Sequence, residues 1–134
     1  MMKKLFYTGS LSLLLIAVAC QSPATKEAVK GQQLAQEAIA LHDDIMPHIA
    51  SFDQATVKID SMLRDTTTTH EELVQLKQDL EQATDNMMTW MHEYVADSTD
   101  VAYQQAEVDK VKAMKKQFED VAASEHYKKL SSSR

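Results

Sequence analysis

The sequence predicts an all-α fold: an antiparallel up-down-up three-helix bundle with long helices, preceded by a cleaved signal peptide. Glycine and proline are scarce, with two of each in 134 residues, so few positions favour tight turns or helix ends. Apolar residues recur in steps of three and four along three long segments. Two short polar turns separate these segments, and short turns make consecutive helices antiparallel.

The N-terminal segment has the order of a bacterial export signal. Two lysines precede an apolar run over residues 5–19 that is too short to serve as a permanent transmembrane helix. The sequence Ala17-Val18-Ala19-Cys20 then resembles the lipobox of bacterial lipoproteins. This resemblance implies cleavage after Ala19, lipidation of the Cys20 thiol and acylation of the new amino terminus. The alternative is a free cysteine behind an ordinary signal peptide.

We therefore expect residues 1–19 to be a lipoprotein signal peptide and residues 20–26 to be a lipidated polar tether. Cys20 is the only cysteine, so no disulfide can form within the chain. Two or more acyl chains at Cys20 would anchor the protein stably in a membrane.

The charge of the chain argues against several classes of partner. Loss of Lys3 and Lys4 with the signal peptide removes two of the 14 basic residues, against 20 acidic residues, and changes the formal net charge from −6 to −8. We expect a domain this acidic to bind neither nucleic acid nor anionic lipid headgroups. A nucleotide site is not expected either, because the sequence has no glycine-rich phosphate loop.

The bundle is predicted over residues 27–130, with a frayed tail at residues 131–134. Its three helices are predicted at about residues 27–63, 70–96 and 100–128. The seam of the first helix consists of Leu34, Ala38, Leu41, Ile45, His48, Phe52, Ala55, Ile59 and Met62. The seam of the second consists of Leu73, Leu76, Leu80, Ala83, Met87, Trp90 and Tyr94, and that of the third of Val108, Val111, Met114, Phe118 and Val121.

Two details concern the course of these helices. Pro47 lacks a backbone donor and crowds the carbonyl of Asp43, so we expect it to kink the first helix. The turn before the third helix contains short polar side chains, and either Asp97 or Ser98 is expected to be the N-cap.

Hairpin geometry brings two unusual runs of the sequence to the same height. The predicted turn places His42 level with His92, and Met46 level with Met88. His42 and Met46 are four residues apart on one face of the first helix, and Met88 is similarly close to Met91 or His92 on the second. The sequence therefore allows a cluster of methionine and histidine side chains between these two helices.

One interpretation of this cluster is a copper site. Thioether sulfur and imidazole nitrogen prefer Cu(I) to hard cations. Trp90 beside the site would shield it from solvent and stack on the cation. The candidate ligands are His42, Met46, Met88 and Met91, followed by His92 and His48.

The favoured interpretation is packing with no cofactor. Methionine often fills irregular gaps in helical cores, so this interpretation expects the three candidate methionines to be buried among Leu and Ile. Met87, Trp90 and Pro47 then have structural roles. A non-covalent haem with a His/Met axial pair is a third interpretation, disfavoured because a three-helix core leaves little room for a macrocycle.

The sequence predicts no enzyme. A di-iron carboxylate site needs Glu-x-x-His on facing helices, and the acidic neighbours of His42 and His48 do not have that spacing. Cys20 is occupied by lipid, and no serine lies in the setting of a nucleophile elbow.

Two motifs resemble those of a group of small Bacteroidota lipoproteins that carry the label viral A-type inclusion protein. The motifs are His42-Asp43-Asp44-x-Met46-Pro47 and Met87-Met88-x-Trp90-Met91. The resemblance covers the signal peptide and the first two helices, and it implies an envelope location and an α-helical domain but no activity. In such lipoproteins an acidic block after the cysteine accompanies export to the cell surface. Its absence here favours an outer-membrane anchor that faces the periplasm.

The predicted function is therefore that of a membrane-anchored envelope lipoprotein with a structural or protein-interaction role. The alternative is a soft-metal module that binds Cu(I) between the first two helices. The expected partners are the membrane, through the lipid anchor, and other envelope proteins. The oligomeric state is open, because heptad seams can also pair between chains.

Overall fold

The computed structural model describes residues 22–65 and 70–133, which contain four helices and no strand. The helices are α1 (Pro23–Asp65), α2 (Glu71–Glu93), α3 (Val101–Ala123) and α4 (Glu125–Ser132). The three long helices pack together, which confirms the predicted all-α bundle. The signal peptide over residues 1–19, and Cys20, lie outside the described residues.

α1 and α3 run parallel to each other. Glu37 of α1 pairs with Lys112 of α3, with Oε1 and Nζ 2.7 Å apart. Further along both helices Asp44 pairs with Lys115, also at 2.7 Å. This order along the two helices is the one that an up-down-up bundle requires.

α1 and α2 run antiparallel, with nearly the predicted register. Asp60 in the last part of α1 pairs with Lys77 in the first part of α2 at 2.8 Å. Earlier in α1, the His42 ring lies 5.9 Å from the Trp90 ring near the end of α2. The prediction places His42 level with His92, which is two residues from Trp90.

The predicted seams form the core, with one exception. All the seam residues of α2 and α3 are buried or pack against the buried cluster, as are the apolar seam residues of α1 before Met62. Met62 is 38% exposed, and Leu63 packs against the core instead. The largest fully buried side chains, Phe52 and Phe118, are stacked with ring centroids 5.0 Å apart.

α1 begins earlier than predicted and passes through Pro47 without a break. Proline is favourable in a first helical turn, where no backbone donor is needed, so α1 begins at Pro23 and residues 23–26 are helical rather than a polar tether. Pro47 lies on the exposed side, where water can satisfy the carbonyl of Asp43. The Ser51 hydroxyl donates to the Pro47 carbonyl at 3.4 Å.

The turn between α2 and α3 is longer than predicted, because α2 ends at Glu93 rather than at residue 96. The N-cap of α3 is Asp100, so the prediction of Asp97 or Ser98 is wrong. The Asp100 carboxylate accepts hydrogen bonds from the backbone N–H groups of Ala102 and Tyr103 at 2.9 and 3.1 Å. These bonds satisfy two of the free donors at the start of α3.

The predicted third helix over residues 100–128 is two helices. α3 ends at Ala123, and the hydroxyl of the next residue, Ser124, accepts a hydrogen bond from Tyr127 N at 3.2 Å and so caps α4. Ser131 and Ser132, which were predicted to belong to a frayed tail, are helical, since α4 extends to Ser132. The break lets Tyr127 pack on Phe52, with ring centroids 5.3 Å apart.

Lys58 holds the end of α4 against α1. Its ammonium donates to the Leu130 carbonyl at 2.7 Å, to the Ser133 hydroxyl at 3.0 Å and to the Ser133 carbonyl. A cation is favourable at the C-terminal end of a helix, where carbonyl groups lack intrahelical donors. Together with the buried Leu130 side chain, this contact makes α4 part of the bundle.

Gly31 lies where α1 passes the turn between α2 and α3. A Cβ atom at this position would be 2.8 Å from the carbonyl oxygen of Thr99. The obstructing atom belongs to the backbone, so it cannot move aside as a flexible side chain would. The absence of a side chain at Gly31 therefore permits close packing at this end of the bundle.

We predict that Gly31→Ala lowers the free energy of unfolding. Overpacking should cost about 1–3 kcal/mol. This cost should exceed the gain of up to about 1 kcal/mol that alanine brings to a helix interior. The measurement is urea denaturation followed by circular dichroism. Gln33→Ala, at an exposed position of the same turn, is the matched control and should change stability by less than about 0.5 kcal/mol. Equal or greater stability of Gly31→Ala would contradict the proposed crowding.

Candidate functional site

His42 is a half-buried candidate ligand on the α1–α2 side. Its side chain is 17% exposed, and Nδ1 lies 3.0 Å from Oδ1 of the exposed Asp43 carboxylate. Its Nε2 atom is buried and has no hydrogen-bond partner among the described residues. The imidazole is thus held by Asp43 on one side and packed near Trp90 on the other.

Trp90 contributes to both packing and hydrogen bonding. It is buried, and its ring stacks on that of Tyr94 with centroids 4.5 Å apart. Its Nε1–H donates to Oε2 of Glu107 on α3 at 2.8 Å. Trp90 therefore joins α2 to α3 as well as covering His42.

The methionines differ strongly in exposure. Met87 is fully buried on the seam and Met46 packs partly against the core. Met88 is 50% exposed and Met91 is 40% exposed, so the expected burial of these two side chains is wrong. Met88 follows Met87 and is rotated by about 100° from the seam, which places it at the edge of a single buried stripe.

The other two candidate histidines lie elsewhere. The His48 ring is 6.4 Å from that of Phe118 on α3 and 6.5 Å from that of Phe52. It therefore lies on the α3 side of α1, whereas His42 lies on the α2 side. His92 is exposed in the last turn of α2.

Residues 22–65 and 70–133 contain no group of three or more His, Cys, Asp or Glu side chains that could hold a metal ion. That finding does not concern thioether ligands. A copper site with His42, Met46, Met88 and Met91 stays a prediction.

An exposed apolar surface lies between α1 and α2. The contacts of His42 with Trp90 and of Asp60 with Lys77 identify the faces of the two helices that meet. Helical spacing places six apolar side chains within about 60° of Asp60 around α1 or of Lys77 around α2. We call them the α1–α2 surface: Ile39, Met46 and Val57 on α1, and Val74, Met88 and Met91 on α2. All but Met46 are at least 40% exposed.

Carboxylates accompany this apolar surface. Asp53, Glu81 and Asp85 line a shallow groove between the two helices, together with Val57 and two threonines. Asp53 and Asp85 form no ion pair with any side chain in the described ranges, and Lys77 is shared between Asp60 and Glu81. The α1–α2 surface is therefore both apolar and acidic.

A buried polar cluster between α2 and α3 was not predicted from the sequence. The Glu107 carboxylate is buried, and it accepts hydrogen bonds from Trp90 Nε1 and from Lys110 Nζ, the latter at 2.6 Å. Gln104 is fully buried, and its amide donates to the carbonyls of Val95 and Ser98 at 3.2 and 2.9 Å. Extending the seam of α3 back from Val108 by a step of four reaches Gln104, which is the signal that could have identified it.

Tyr94 connects this cluster to the rest of the bundle. Its hydroxyl donates to the Gln104 side-chain oxygen at 2.8 Å. Burial raises the pKa of Tyr94 above its ordinary value of 10.0, and Tyr103 and Glu107 raise it further by charge repulsion. The contribution of Tyr94 to stability is therefore fully present below pH 10 and is lost as the pH rises through the higher folded-state pKa.

We predict that the stability difference between the wild-type protein and Tyr94→Phe narrows above pH 10. At neutral pH the variant lacks the hydrogen bond to Gln104 and should be less stable by about 0.5–1.5 kcal/mol. Above pH 10 the wild-type protein loses stability, because Tyr94 ionises more readily in the unfolded state than in the folded state. The variant has Phe at this position, which does not ionise, so it does not lose stability in this way. Urea denaturation at pH 7, 9 and 10.5 measures the difference. A constant difference across these pH values would show that the Tyr94 pKa is not raised by folding.

Comparison of the chain with protein-family models, with curated proteins and with solved structures gives no match. Within the described ranges, no helix combines the length and the apolar character needed to cross a membrane.

Proposed function

We propose that this protein is a lipid-anchored envelope protein whose helical bundle serves as a protein-interaction module. The observation that carries the interaction role is the α1–α2 surface. Five of its six apolar side chains are at least 40% exposed, and they lie along one junction of two helices. Clustered exposed apolar side chains of this kind are typical of interaction sites.

The anchor is supported by the sequence before the bundle. A positive start, a short apolar run and Ala17-Val18-Ala19-Cys20 together fit a lipoprotein signal. α1 begins at Pro23, three residues after Cys20, so the bundle would stand close to the membrane. We place the anchor in the outer membrane, with the bundle facing the periplasm.

Metabolic labelling with an alkyne fatty acid tests the anchor. The wild-type chain should incorporate the label and sediment with membranes, whereas Cys20→Ala should incorporate none. Protease added to intact and to permeabilised cells tests the orientation, and only permeabilised cells should lose the protein. A wild-type chain without label, or one recovered in the soluble fraction, would contradict the anchor.

Site-specific photo-crosslinking in intact cells tests the interaction role. A photoreactive residue at Met88 should give a discrete adduct with one envelope protein. The same residue at Ala113, an exposed position on α3, should give none and serves as the control. Equal adducts from both positions would show that the α1–α2 surface is not selective.

A Cu(I) site between α1 and α2 is the second candidate function, and the state of His42 favours it. Metal-binding imidazoles usually engage one nitrogen with a carboxylate or carbonyl while the other binds the metal. His42 has this arrangement, because Nδ1 contacts Asp43 and Nε2 has no partner among the described residues. Met46 lies one helical turn further on the same face.

Titration with Cu(I) against a competing chelator tests this second function. The double variant Met88→Leu/Met91→Leu keeps the apolar volume and removes two thioethers, so it should weaken binding at least tenfold. Met114→Leu, in the core-facing part of α3, is the control and should leave binding unchanged. Absence of binding in the micromolar range or tighter would exclude the copper function.

A further inference from the structure

We infer that the α1–α2 surface binds a basic amphipathic helix of a partner protein. This inference rests on the proposed interaction function and specifies the surface and the chemistry of its partner. Three properties of the surface support it: its length, its apolar side chains and its charge.

The length of the surface suits a helical partner. The junction of two antiparallel helices is a groove into which the side chains of a third helix can pack. The apolar residues of α1 on this surface extend from Ile39 to Val57, which corresponds to about 27 Å of helix. A partner helix of about 18 residues, or five turns, would cover this length.

The side chains of the surface suit an apolar stripe on that helix. Met88 and Met91 are unbranched and flexible, so they can adapt to the side chains that pack against them. Val57 is 70% exposed and lies in the shallow groove, where a partner side chain would reach it. Burial of these groups would remove from water apolar area that the bundle itself leaves exposed.

The charge of the surface selects a basic partner. Asp53 and Asp85 form no ion pair among the described residues, and Lys77 is the only basic residue within α2 apart from His92. The carboxylates on the α3 side differ, because lysines of α3 pair with Glu37 and Asp44. Lys or Arg on the flanks of a bound helix would supply the missing charge and speed association.

A second copy of this chain is a poor occupant of the same surface. A twofold dimer brings the same patch of both molecules together, so Asp53 and Asp85 of each copy would approach those of the other. Like charges across an interface oppose association. The same carboxylates would repel an anionic membrane surface.

The test is titration of the full chain, held in nanodiscs of phosphatidylcholine, with a fluorescein-labelled 18-residue peptide. The peptide contains only Leu and Lys, with Leu in steps of three and four, and the signal from empty nanodiscs is subtracted. We expect saturable one-to-one binding that weakens as salt is added. A control peptide with Glu in place of every Lys should bind at least tenfold more weakly.

Two sets of variants locate the binding site. Met88→Ser/Met91→Ser should weaken binding of the Lys peptide at least tenfold, whereas Val29→Ser, another exposed apolar position of α1, should leave it unchanged. Asp53→Asn/Asp85→Asn should weaken binding and reduce its salt dependence. Circular dichroism confirms that each variant keeps the helical fold.

Three results would overturn the inference. The first is that the Lys peptide shows no saturable binding to the full chain, and the second is that the Glu peptide binds as tightly as the Lys peptide. The third is that Met88→Ser/Met91→Ser binds the Lys peptide as tightly as the wild-type chain does. Self-association in analytical ultracentrifugation that these serine substitutions abolish would show that the surface takes a second copy. The titration tests the helix-binding surface, and fatty-acid labelling tests the lipid anchor. A negative result in one experiment therefore leaves the other proposal standing.

Discussion

Phe118→Ala should lower the free energy of unfolding by about 3–5 kcal/mol, because it removes a large side chain from the centre of the core. Phe118 is fully buried and stacks on Phe52, and its ring also contacts His48. Loss of the ring would leave a cavity where α1 meets α3. The total stability of a domain of this size is about 5–15 kcal/mol, so the loss would be a substantial fraction of it.

Urea denaturation of three proteins measures this effect. Phe118→Leu keeps most of the apolar volume and should lose less stability than Phe118→Ala. Val57→Ala truncates a side chain that is 70% exposed and should change stability by less than about 0.5 kcal/mol. If Phe118→Ala and Val57→Ala lost similar amounts, α3 would not contribute to the core as described.

Trp90→Ala should have an effect of similar size, about 3–5 kcal/mol, for a different combination of reasons. The substitution removes the ring that packs between His42 and Tyr94. It also removes the indole donor to the buried Glu107 carboxylate. A buried acceptor that loses its donor is destabilising, and more so when the acceptor is charged.

Trp90→Phe separates these two contributions. It keeps an aromatic ring but has no donor, so it should cost about 1–3 kcal/mol. Combined with Glu107→Leu, it should cost less than the sum of the two single substitutions, because both remove the same hydrogen bond. Strict additivity in this double-mutant cycle would show that the hydrogen bond from Trp90 to Glu107 contributes nothing to stability.

The sequence predicted the long helices and most of the core because apolar periodicity records which side of a helix is buried. Ile45 and Phe52 on α1, and Leu80 and Met87 on α2, are buried as their spacing predicts. Antiparallel pairing also followed from turn length alone. The error at Met62 occurs in the last turn of α1, where the seam shifts by one residue to Leu63.

The helix break and the polar cluster were missed for two distinct reasons. Apolar spacing continues from Val121 across Ser124 into α4, so periodicity does not show that the chain changes direction there. Gln104 and Glu107 occupy core positions although they are polar, and their burial depends on partners from other helices. A pattern based on apolar residues alone cannot identify such positions.

The level of His42 along the hairpin was predicted more accurately than the exposure of the candidate methionines. Helical register correctly brought His42 close to the end of α2, where it meets Trp90. Successive side chains are about 100° apart around a helix, so an error of one residue in the seam of α2 decides whether Met88 is predicted to face the core or solvent. His48, a second-choice ligand that the prediction places on the seam of α1, lies near Phe118 of α3.

The early start of α1 has a mechanical consequence for an anchored protein. Residues 23–26 precede Glu27, which lines a groove together with the start of α3, and they form about 6 Å of helix outside the bundle. With Cys20 in the bilayer, this helical segment would act as a rigid spacer and not as a flexible linker. Met46 lies about 35 Å along α1 from Pro23, so a partner would have to present its binding segment at that height above the membrane.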